Sequence, residues 1–270
     1  MVTVPAGYAA CRLGEEIGVP VIITEHATYF ERFFNSWCTS YAIEASQKAA
    51  MITCVGQYMK TIYMDRYGIK AEILPNIVDC AVFGGPKKPH NDGKLHIISV
   101  CALREGKNID HAVAALRILR DEKRIPDFEY TVVGDGYLRD TYWSAVKDNK
   151  MTDCVRSVGQ KNREEIAQFL AQSDMLIMPT YIETFGIPAV EAAAAGVPVV
   201  CTRCGGPEGF LNADSAEFCT PCDIPSIADA IERMVHRLPN MDEAAIRNVA
   251  KQFDAAAVAD LAISYYREIV

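Results

Sequence analysis

Two glutamates separated by seven residues, Glu183 and Glu191, form the pattern that most clearly suggests chemistry. They follow the predicted strand Asp174–Met178, and Pro188 stands where a proline favours the first turn of a helix. A helix that begins at Ile187 would point free amides and its positive dipole end beyond the carboxyl end of a parallel strand. Such positions bind phosphorylated or anionic ligands. Both carboxylates can then face one crevice, although one could instead offset the helix dipole and the other face solvent.

Four cysteines form a second candidate site. Cys201 and Cys204 make one C-x2-C pair, Cys219 and Cys222 make another, and fourteen residues separate the pairs. This spacing is close to that of a four-cysteine structural zinc site. The competing interpretation is that these are ordinary sheet and loop positions, because a free cysteine often replaces a small apolar residue in a core. We favour the second interpretation and expect no metal.

The elements that would position these residues are short β-branched runs that alternate with longer amphipathic segments. This alternation predicts a parallel sheet covered by helices. The predicted strands are Val19–Thr24, Met51–Cys54, Ala71–Leu74, Leu95–Val100, Glu129–Val133, Cys154–Val158, Asp174–Met178, Val197–Cys201 and Ala216–Thr220. The predicted helices are Cys38–Ala50, Gln57–Tyr67, Asn108–Asp121, Tyr137–Asn149, Asn162–Ala171, Ile187–Ala195, Pro225–Leu238 and Ala255–Ile269.

The segment 83–93, with the sequence FGGPKKPHNDG, interrupts this alternation. Its prolines, glycines and paired lysines, without apolar periodicity, predict an interdomain linker. We therefore expect a first domain over 1–82, a second over 94–252, and a final helix within 253–270. Six strands suffice for a complete doubly wound second domain. Three strands are few for the first domain, which is expected to be incomplete.

Composition and charge exclude several classes of protein. The 270 residues carry 27 Lys and Arg against 35 Asp and Glu, a net charge of −8, which argues against a nucleic-acid partner. No apolar run is long enough to span a membrane, and the first residues lack the pattern of a signal peptide. Ten cysteines without an export signal indicate free thiols in a reducing compartment. These features predict a cytoplasmic protein.

The run from Ile177 to Val200, followed by Gly205-Gly206, resembles the donor-site signature of family 4 glycosyltransferases, which have the GT-B fold. Three other motifs occur in the order expected for that family: Leu74-Pro-Asn-Ile-Val-Asp79 with Phe83, Lys107-Asn-Ile-Asp110 and Val133-Gly-Asp-Gly136. Together the motifs extend over about residues 20–270. The resemblance implies an α/β protein of GT-B type with two Rossmann-like parallel-sheet domains, the first incomplete.

The resemblance also implies a role for each matching residue. Glu191 matches the glutamate that receives the ribose hydroxyls of the nucleotide, and Glu183 matches a residue beside the donor sugar and its phosphates. Lys107 matches the cation that neutralises the departing diphosphate. His26 resembles a histidine beside the donor sugar, although on sequence alone it reads as a strand-end histidine that caps backbone groups. The remaining donor-binding positions implied are Gly134, Thr184, Phe185, Gly186 and Ile187.

One position departs from the family pattern. Ala102 stands where the family usually has an arginine, five residues before Lys107. Arg104 could reach the same phosphates, the alternative being a solvated loop charge. Fixed cations and amides can stabilise the charge on a leaving diphosphate without a metal. The resemblance therefore implies no cofactor, no metal, and a UDP- or GDP-sugar as the donor.

The start of the chain bears on the first domain. In the resembled family, several strand–helix units precede the segment that matches Val19–His26, and here they are expected to be absent. The helix within 253–270, which crosses back onto the first domain in this fold, would then have a smaller platform. On this reading the chain alone is expected to aggregate and to be nearly inactive as a transferase.

The function implied is a metal-independent, retaining glycosyltransferase. It would move a sugar from a nucleotide-diphosphate sugar to a hydroxyl of a glycan or lipid-linked acceptor, as in polysaccharide biosynthesis. A lipid-linked acceptor would bring it to the inner face of the membrane as a peripheral protein. A GT-B sugar epimerase would share the fold but should lack the Glu183–Glu191 arrangement. The alternative from another class is a non-catalytic or truncated module that binds sugar nucleotides without turnover.

Overall fold

The computed structural model describes residues 3–88 and 90–270 and has a mixed α/β architecture with two parallel sheets. The chain divides into two compact units. Unit 1 comprises the chain up to Ile77, Glu183–Phe185 and Ala255–Val270, and unit 2 comprises Val78–Ile182 and Gly186–Asp254. The predicted α/β class with two parallel-sheet domains is confirmed.

Unit 1 is built on a three-stranded parallel sheet in the order β1-β2-β3. Its elements before Ile77 are α1 (Tyr8–Ile17), β1 (Ile22–Glu25), α2 (Thr39–Lys48), β2 (Met51–Cys54), α3 (Gln57–Tyr67) and β3 (Glu72–Ile73). Ile23 and Ile52 are buried on adjacent strands. The ring of Phe30 stacks on Tyr63 of α3 with 4.7 Å between centroids. This unit therefore has an apolar core of its own.

Helix α1 is an element that the sequence analysis did not predict. It buries Cys11 and Gly14 and ends at Gly18, which has a left-handed φ of 71°. A Cβ on Gly14 would lie 2.6 Å from the carbonyl oxygen of Val19, whose N–H donates to the Gly14 carbonyl at 2.9 Å. Val19, predicted to begin the first strand, thus lies in the turn that closes α1, and the strand begins at Ile22.

Unit 2 contains a six-stranded parallel sheet in the order β6-β5-β4-β7-β8-β9. Its elements are α4 (Cys80–Phe83), β4 (Leu95–Val100), α5 (Ile109–Asp121), β5 (Phe128–Val133), α6 (Arg139–Asp148), β6 (Val155–Gly159), α7 (Arg163–Ala171), β7 (Met175–Met178), α8 (Ile187–Ala194), β8 (Val199–Thr202), β9 (Ala216–Cys219), α9 (Ile224–Arg237) and α10 (Glu243–Ala250). The six predicted strands are all present, and their ends differ from the predicted ones by at most two residues. The order is that of a doubly wound Rossmann sheet.

Helix α10 was also not predicted from the sequence. The carboxylate of Asp242 accepts the N–H of Ala244 at 2.8 Å and so caps the start of the helix. Arg247 donates to the carbonyl oxygen of Ala194 at 2.7 Å, which joins α10 to the end of α8. This support holds α8, the helix that carries Glu191.

The last helix, α11 (Ala255–Ile269), groups with unit 1, where the Tyr265 hydroxyl donates to the Ile73 carbonyl at 3.0 Å. Just before it, Asp254 accepts the N–H of Cys80 at 3.1 Å within unit 2. Of the predicted linker 83–93, Pro89 lies outside the described residues. No helix in the described ranges combines the length and apolar character needed to cross a bilayer.

Candidate functional site

The strand order of unit 2 creates a switch point between β4 and β7. Strand β4 pairs with β5 on one side and with β7 on the other, where Ile98 lies opposite Leu176. Successive connections therefore leave this point in opposite directions. In open α/β sheets, ligands bind in the crevice outside the carboxyl ends of the two strands at such a point.

Two loops of unit 2 leave the sheet at this switch point. The β4 loop (residues 101–107) follows β4, and the β7 loop (residues 179–182) follows β7. The N–H of Tyr181 donates to the carbonyl oxygen of Gly106 at 2.7 Å, which ties the two loops directly. The structure therefore holds the predicted cationic loop against the segment that precedes α8.

Both predicted phosphate-binding cations, Arg104 and Lys107, lie on the β4 loop. The carbonyl of Arg104 accepts the Tyr142 hydroxyl at 2.9 Å and the N–H of Lys107 at 3.3 Å. The Arg104 side chain is exposed and makes no ion pair within the described part of the chain, whereas Lys107 is half-buried. The backbone of the loop is fixed while the guanidinium stays open to solvent, as binding an anion requires.

The glycine turn after β5 packs against the same loop. Gly134 has a φ of 135°, and a Cβ there would lie 1.8 Å from the carbonyl oxygen of Cys101. A Cβ on Gly136 would lie 2.3 Å from the carbonyl oxygen of Leu103. Both glycines are thus needed for close backbone contact. The turn was predicted to line the donor site, and in the structure it packs against the β4 loop.

Helix α8 begins at the switch point, directly after Gly186. Gly186 has a left-handed φ of 96°, and a Cβ there would lie 2.8 Å from Cγ of Pro207. Ile187 is exposed at the first position of the helix, and Pro188 follows it as predicted. The first turn carries the positive dipole end of the helix; Pro188 has no N–H, and the N–H of Ala189 donates to the Gly186 carbonyl at 2.9 Å. This start can therefore bind an anion or a sugar hydroxyl.

Glu191 is buried in the middle of α8, one turn after its start, with 8% of its surface exposed. No hydrogen-bond partner for its carboxylate occurs among the described residues. Burial raises the pKa of Glu191 to about 7, and the charge of Arg163 opposes this rise. A buried carboxyl without hydrogen bonds is costly unless something pairs with it. Hydroxyl groups that donate to this carboxylate would satisfy it.

The residues just before α8 belong to unit 1. Glu183 accepts the N–H of Thr184 at 3.1 Å through its carboxylate, and Thr184 and Phe185 are buried. A Cβ on Gly56, at the end of β2, would lie 3.3 Å from the Thr184 carbonyl oxygen. The predicted donor motif is therefore divided, with Glu183, Thr184 and Phe185 in unit 1 and the residues from Gly186 onward in unit 2.

His26 lies in unit 1, exposed at the carboxyl end of β1. Its Nδ1 is 3.0 Å from Oδ1 of Asn76, and its backbone N–H donates to the carboxylate of Glu25 at 3.0 Å. Glu25 is fully buried. From the sequence, Asn76 was recognised only as part of the Leu74–Asp79 motif, and Glu25 was not singled out, although an acidic residue that ends an apolar strand was a signal for it.

Among the described residues, the cysteine pairs do not converge into a group of three or more side chains that could hold a metal ion. The sulfurs of Cys201 and Cys204 are 4.0 Å apart, whereas Cys222 is exposed. Burial raises the pKa of the Cys201 thiol strongly and that of Cys219 to about 12. Both thiols are therefore protonated near neutral pH.

Comparison with known proteins finds two glycosyltransferase family models along the chain. The family model described as glycosyl transferases group 1 matches residues 85–252. A second model, described as Glycosyltransferase Family 4, matches residues 2–82. The first match alone covers more than half of the chain.

Similar proteins of known sequence include a glycogen synthase of Mycobacterium tuberculosis, 26% identical over 96% of this chain and 66% of that protein. An uncharacterized glycosyltransferase of Methanocaldococcus jannaschii, MJ1178, is 26% identical over 75% of this chain and 54% of its own length. The chain thus spans about half to two thirds of the length of these two relatives.

Solved structures share the fold at low sequence identity. HepE of Anabaena, solved in complex with UDP, aligns with a TM-score of 0.83 and 16% identity, over 97% of this chain and 76% of HepE. The sucrose-phosphate synthase of Thermosynechococcus elongatus aligns with a TM-score of 0.76 and 19% identity, over 97% of this chain and 71% of the synthase. The predicted GT-B fold is confirmed.

Proposed function

The chain belongs to the group 1 glycosyltransferases, and from this membership we propose that it transfers a sugar from a nucleotide-diphosphate sugar to an acceptor hydroxyl. The observation that carries the proposal is the switch point of unit 2. There, two cations lie on the β4 loop, and α8 begins after the β7 loop and carries a buried carboxyl with no hydrogen-bond partner among the described residues. Unit 2 has the charges and donors that a nucleoside diphosphate needs.

Glu191 would receive the ribose hydroxyls in this proposal. Its carboxylate lacks hydrogen-bond partners within the described chain, and two hydroxyls would donate to its two oxygens. Hydrogen bonds to a charged group contribute about 1.5–3 kcal/mol each. The bound ribose would also favour the ionised form of a carboxyl whose pKa burial raises to about 7.

Arg104 and Lys107 would neutralise the diphosphate as it leaves. Negative charge develops on the leaving group when the sugar bond breaks, and fixed cations stabilise this charge in the transition state. These two side chains lie on a loop whose backbone is held by Tyr142 and by the glycine turn. They support a reaction without a metal ion, which we propose should survive EDTA.

The finer parts of the proposal follow from the family resemblance. We propose that the anomeric configuration is retained, with His26 and Glu183 beside the donor sugar. UDP and GDP are the candidate nucleotides, and the UDP complex of HepE makes UDP the first to test. The proposed acceptor is a glycan or a lipid-linked hydroxyl in the cytoplasm or at the inner face of the membrane, within polysaccharide biosynthesis.

A sugar-nucleotide-binding module is the second candidate. It is supported by the concentration of ligand-binding groups in unit 2, which suffices to bind a nucleotide without performing transfer. Such a module would bind UDP or GDP and leave a UDP- or GDP-sugar intact.

Calorimetric titration with UDP and GDP, followed by turnover assays with a panel of sugar nucleotides, tests both candidates. We expect micromolar to millimolar nucleotide binding that falls at least tenfold in Lys107→Ala and stays unchanged in Lys147→Ala, an exposed lysine on α6. Release of the nucleotide together with a glycosylated product identifies a transferase. The anomeric configuration of that product, compared with that of the donor, shows whether the configuration is retained. Absence of nucleotide binding in the folded chain would refute both candidates.

A further inference from the structure

The ring of His26 has one hydrogen-bonding contact among the described residues. Nδ1 of His26 lies 3.0 Å from Oδ1 of Asn76 in unit 1. An amide oxygen has no proton and can only accept, so Nδ1 must be the donor in this hydrogen bond. In a neutral ring that carries its proton on Nδ1, Nε2 is an acceptor.

The backbone at His26 is also held by hydrogen bonds to the buried carboxylate of Glu25. One carboxylate oxygen of Glu25 accepts the N–H of His26 at 3.0 Å and the N–H of Ala27 at 2.8 Å. The other oxygen accepts the N–H and the hydroxyl of Thr3, both at 2.9 Å. A buried carboxylate with four donors has little freedom, so these hydrogen bonds restrain the turn at residues 25–27.

The residue that contacts the His26 ring, Asn76, comes from a distant part of the sequence. It follows β3 in the Pro75-Asn76 turn, half-buried, fifty residues after His26. The exposed imidazole is therefore fixed at two places, through its backbone by Glu25 and through its ring by Asn76. A histidine that served only to cap a strand end would use its ring on a backbone group of that end, and His26 does not.

We propose that Asn76 is a positioning residue that holds the neutral His26 ring as the Nδ1–H tautomer, with Nε2 as its free hydrogen-bond acceptor. The proposal deepens the proposed function and rests on it for the identity of the ligand. A lone acceptor at Nε2 pairs with a hydroxyl of a sugar and not with an unprotonated phosphate oxygen. Asn76 thus selects the class of group that the neutral His26 ring can bind.

The tautomer can be read without any assay of activity. In the full chain labelled with nitrogen-15 histidine, two-bond nitrogen–proton spectra distinguish a protonated from an unprotonated ring nitrogen. They are recorded at about pH 8.5, where an ordinary histidine is neutral. Loss of signals in His26→Gln assigns the ring, and the four other histidines serve as internal controls. We expect His26 to carry its proton on Nδ1.

Two variants of Asn76 separate positioning from simple structure. Asn76→Asp keeps an oxygen acceptor and should preserve the Nδ1–H form, whereas Asn76→Leu removes it and should shift the proton to Nε2, the form favoured in water. With a donor that the chain turns over, Asn76→Leu should lower kcat/KM about tenfold, the effect of one lost hydrogen bond, and Asn76→Asp should recover most of it. A purely structural role would lower thermal stability and leave the tautomer unchanged.

The proposal is overturned if wild-type His26 carries its proton on Nε2, or if Asn76→Leu retains the Nδ1–H form. Should Asn76→Leu fail to fold, the wild-type and Asn76→Asp spectra still decide the matter. Failure of the proposed function would appear separately, as absence of nucleotide binding and turnover in a chain whose tautomer is as expected.

Discussion

Glu191 places an ionisable group where folding and ligand binding make opposite demands on it. Its burial in α8 raises its pKa to about 7, above the ordinary value of 4.5. The native chain therefore favours the neutral acid, whereas hydroxyl groups that donate to the carboxyl favour the ionised form. The opposite preferences for the neutral and the ionised carboxyl can be measured as changes with pH in the free energy of unfolding and in nucleotide affinity.

Glu191→Gln should stabilise the free protein at pH 8 and not at pH 4. Below the unfolded pKa of 4.5 the acid is neutral in both states and has no cost, so the wild type has its full stability there. As pH rises from 4.5 to about 7, the unfolded chain ionises while the folded chain keeps its proton, and on the order of 3 kcal/mol of stability is lost. Denaturant unfolding at both pH values measures this loss. The control is Glu164→Gln, an exposed position on α7, and equal pH dependence in wild type and Glu191→Gln would contradict the assignment.

Nucleotide affinity should depend on pH through the same group. If the ribose hydroxyls bind the ionised carboxylate, affinity should rise about tenfold between pH 6 and pH 8, as the group loses its proton around pH 7. Titration of UDP into wild type and Glu191→Gln at both pH values separates this effect from the titration of the phosphate itself. A parallel change in both proteins would show that Glu191 does not contact the nucleotide.

Among the secondary-structure elements, the ones that carry the candidate donor site were the most predictable. Pro188 and the small residues after it predict α8 at its observed start, because their signals are local. Helix α1 was not predicted because Gly14 is a poor helix former. The reason for a glycine at this position is visible only in the structure, where the Val19 backbone packs against it. Asn76 was recognised within a motif, but no sequence pattern shows that it meets His26, since fifty residues separate them. Local chemistry was therefore readable, and long-range contacts were not.

The glycine turn after β5 offers a test of how this site is supported. Gly134→Ala should destabilise unit 2 by about 3 kcal/mol or more, because its Cβ would overlap the Cys101 carbonyl at 1.8 Å. Displacement of the β4 loop should also weaken UDP binding. Gly159→Ala is the matched control, since Gly159 has a φ of 72° with open space around it and should cost only about 1–2 kcal/mol. Equal losses of stability in the two variants would show that the positive φ, and not the contact with the Cys101 carbonyl, causes the destabilisation.

At the scale of the whole molecule, unit 2 has its own sheet and core, so a fragment over 78–254 should fold and bind UDP. It keeps the hydrogen bonds from Val78 to Phe253 and from Cys80 to Asp254, which a fragment over 94–252 would lose. Thermal unfolding should show one cooperative transition for the longer fragment and a lower midpoint for the shorter one. A longer fragment without a cooperative transition would refute the independence of unit 2.

The donor motif divides between the two units at Phe185 and Gly186, and this division limits how the family can recombine. A gene fusion that exchanged unit 2 for that of a relative would also carry the relative's version of Glu183–Phe185 into the host's unit 1. The inserted segment would have to fit Gly56, whose α-carbon leaves room for the Thr184 carbonyl. Chimaeras should therefore succeed when the residue at position 56 is exchanged together with unit 2.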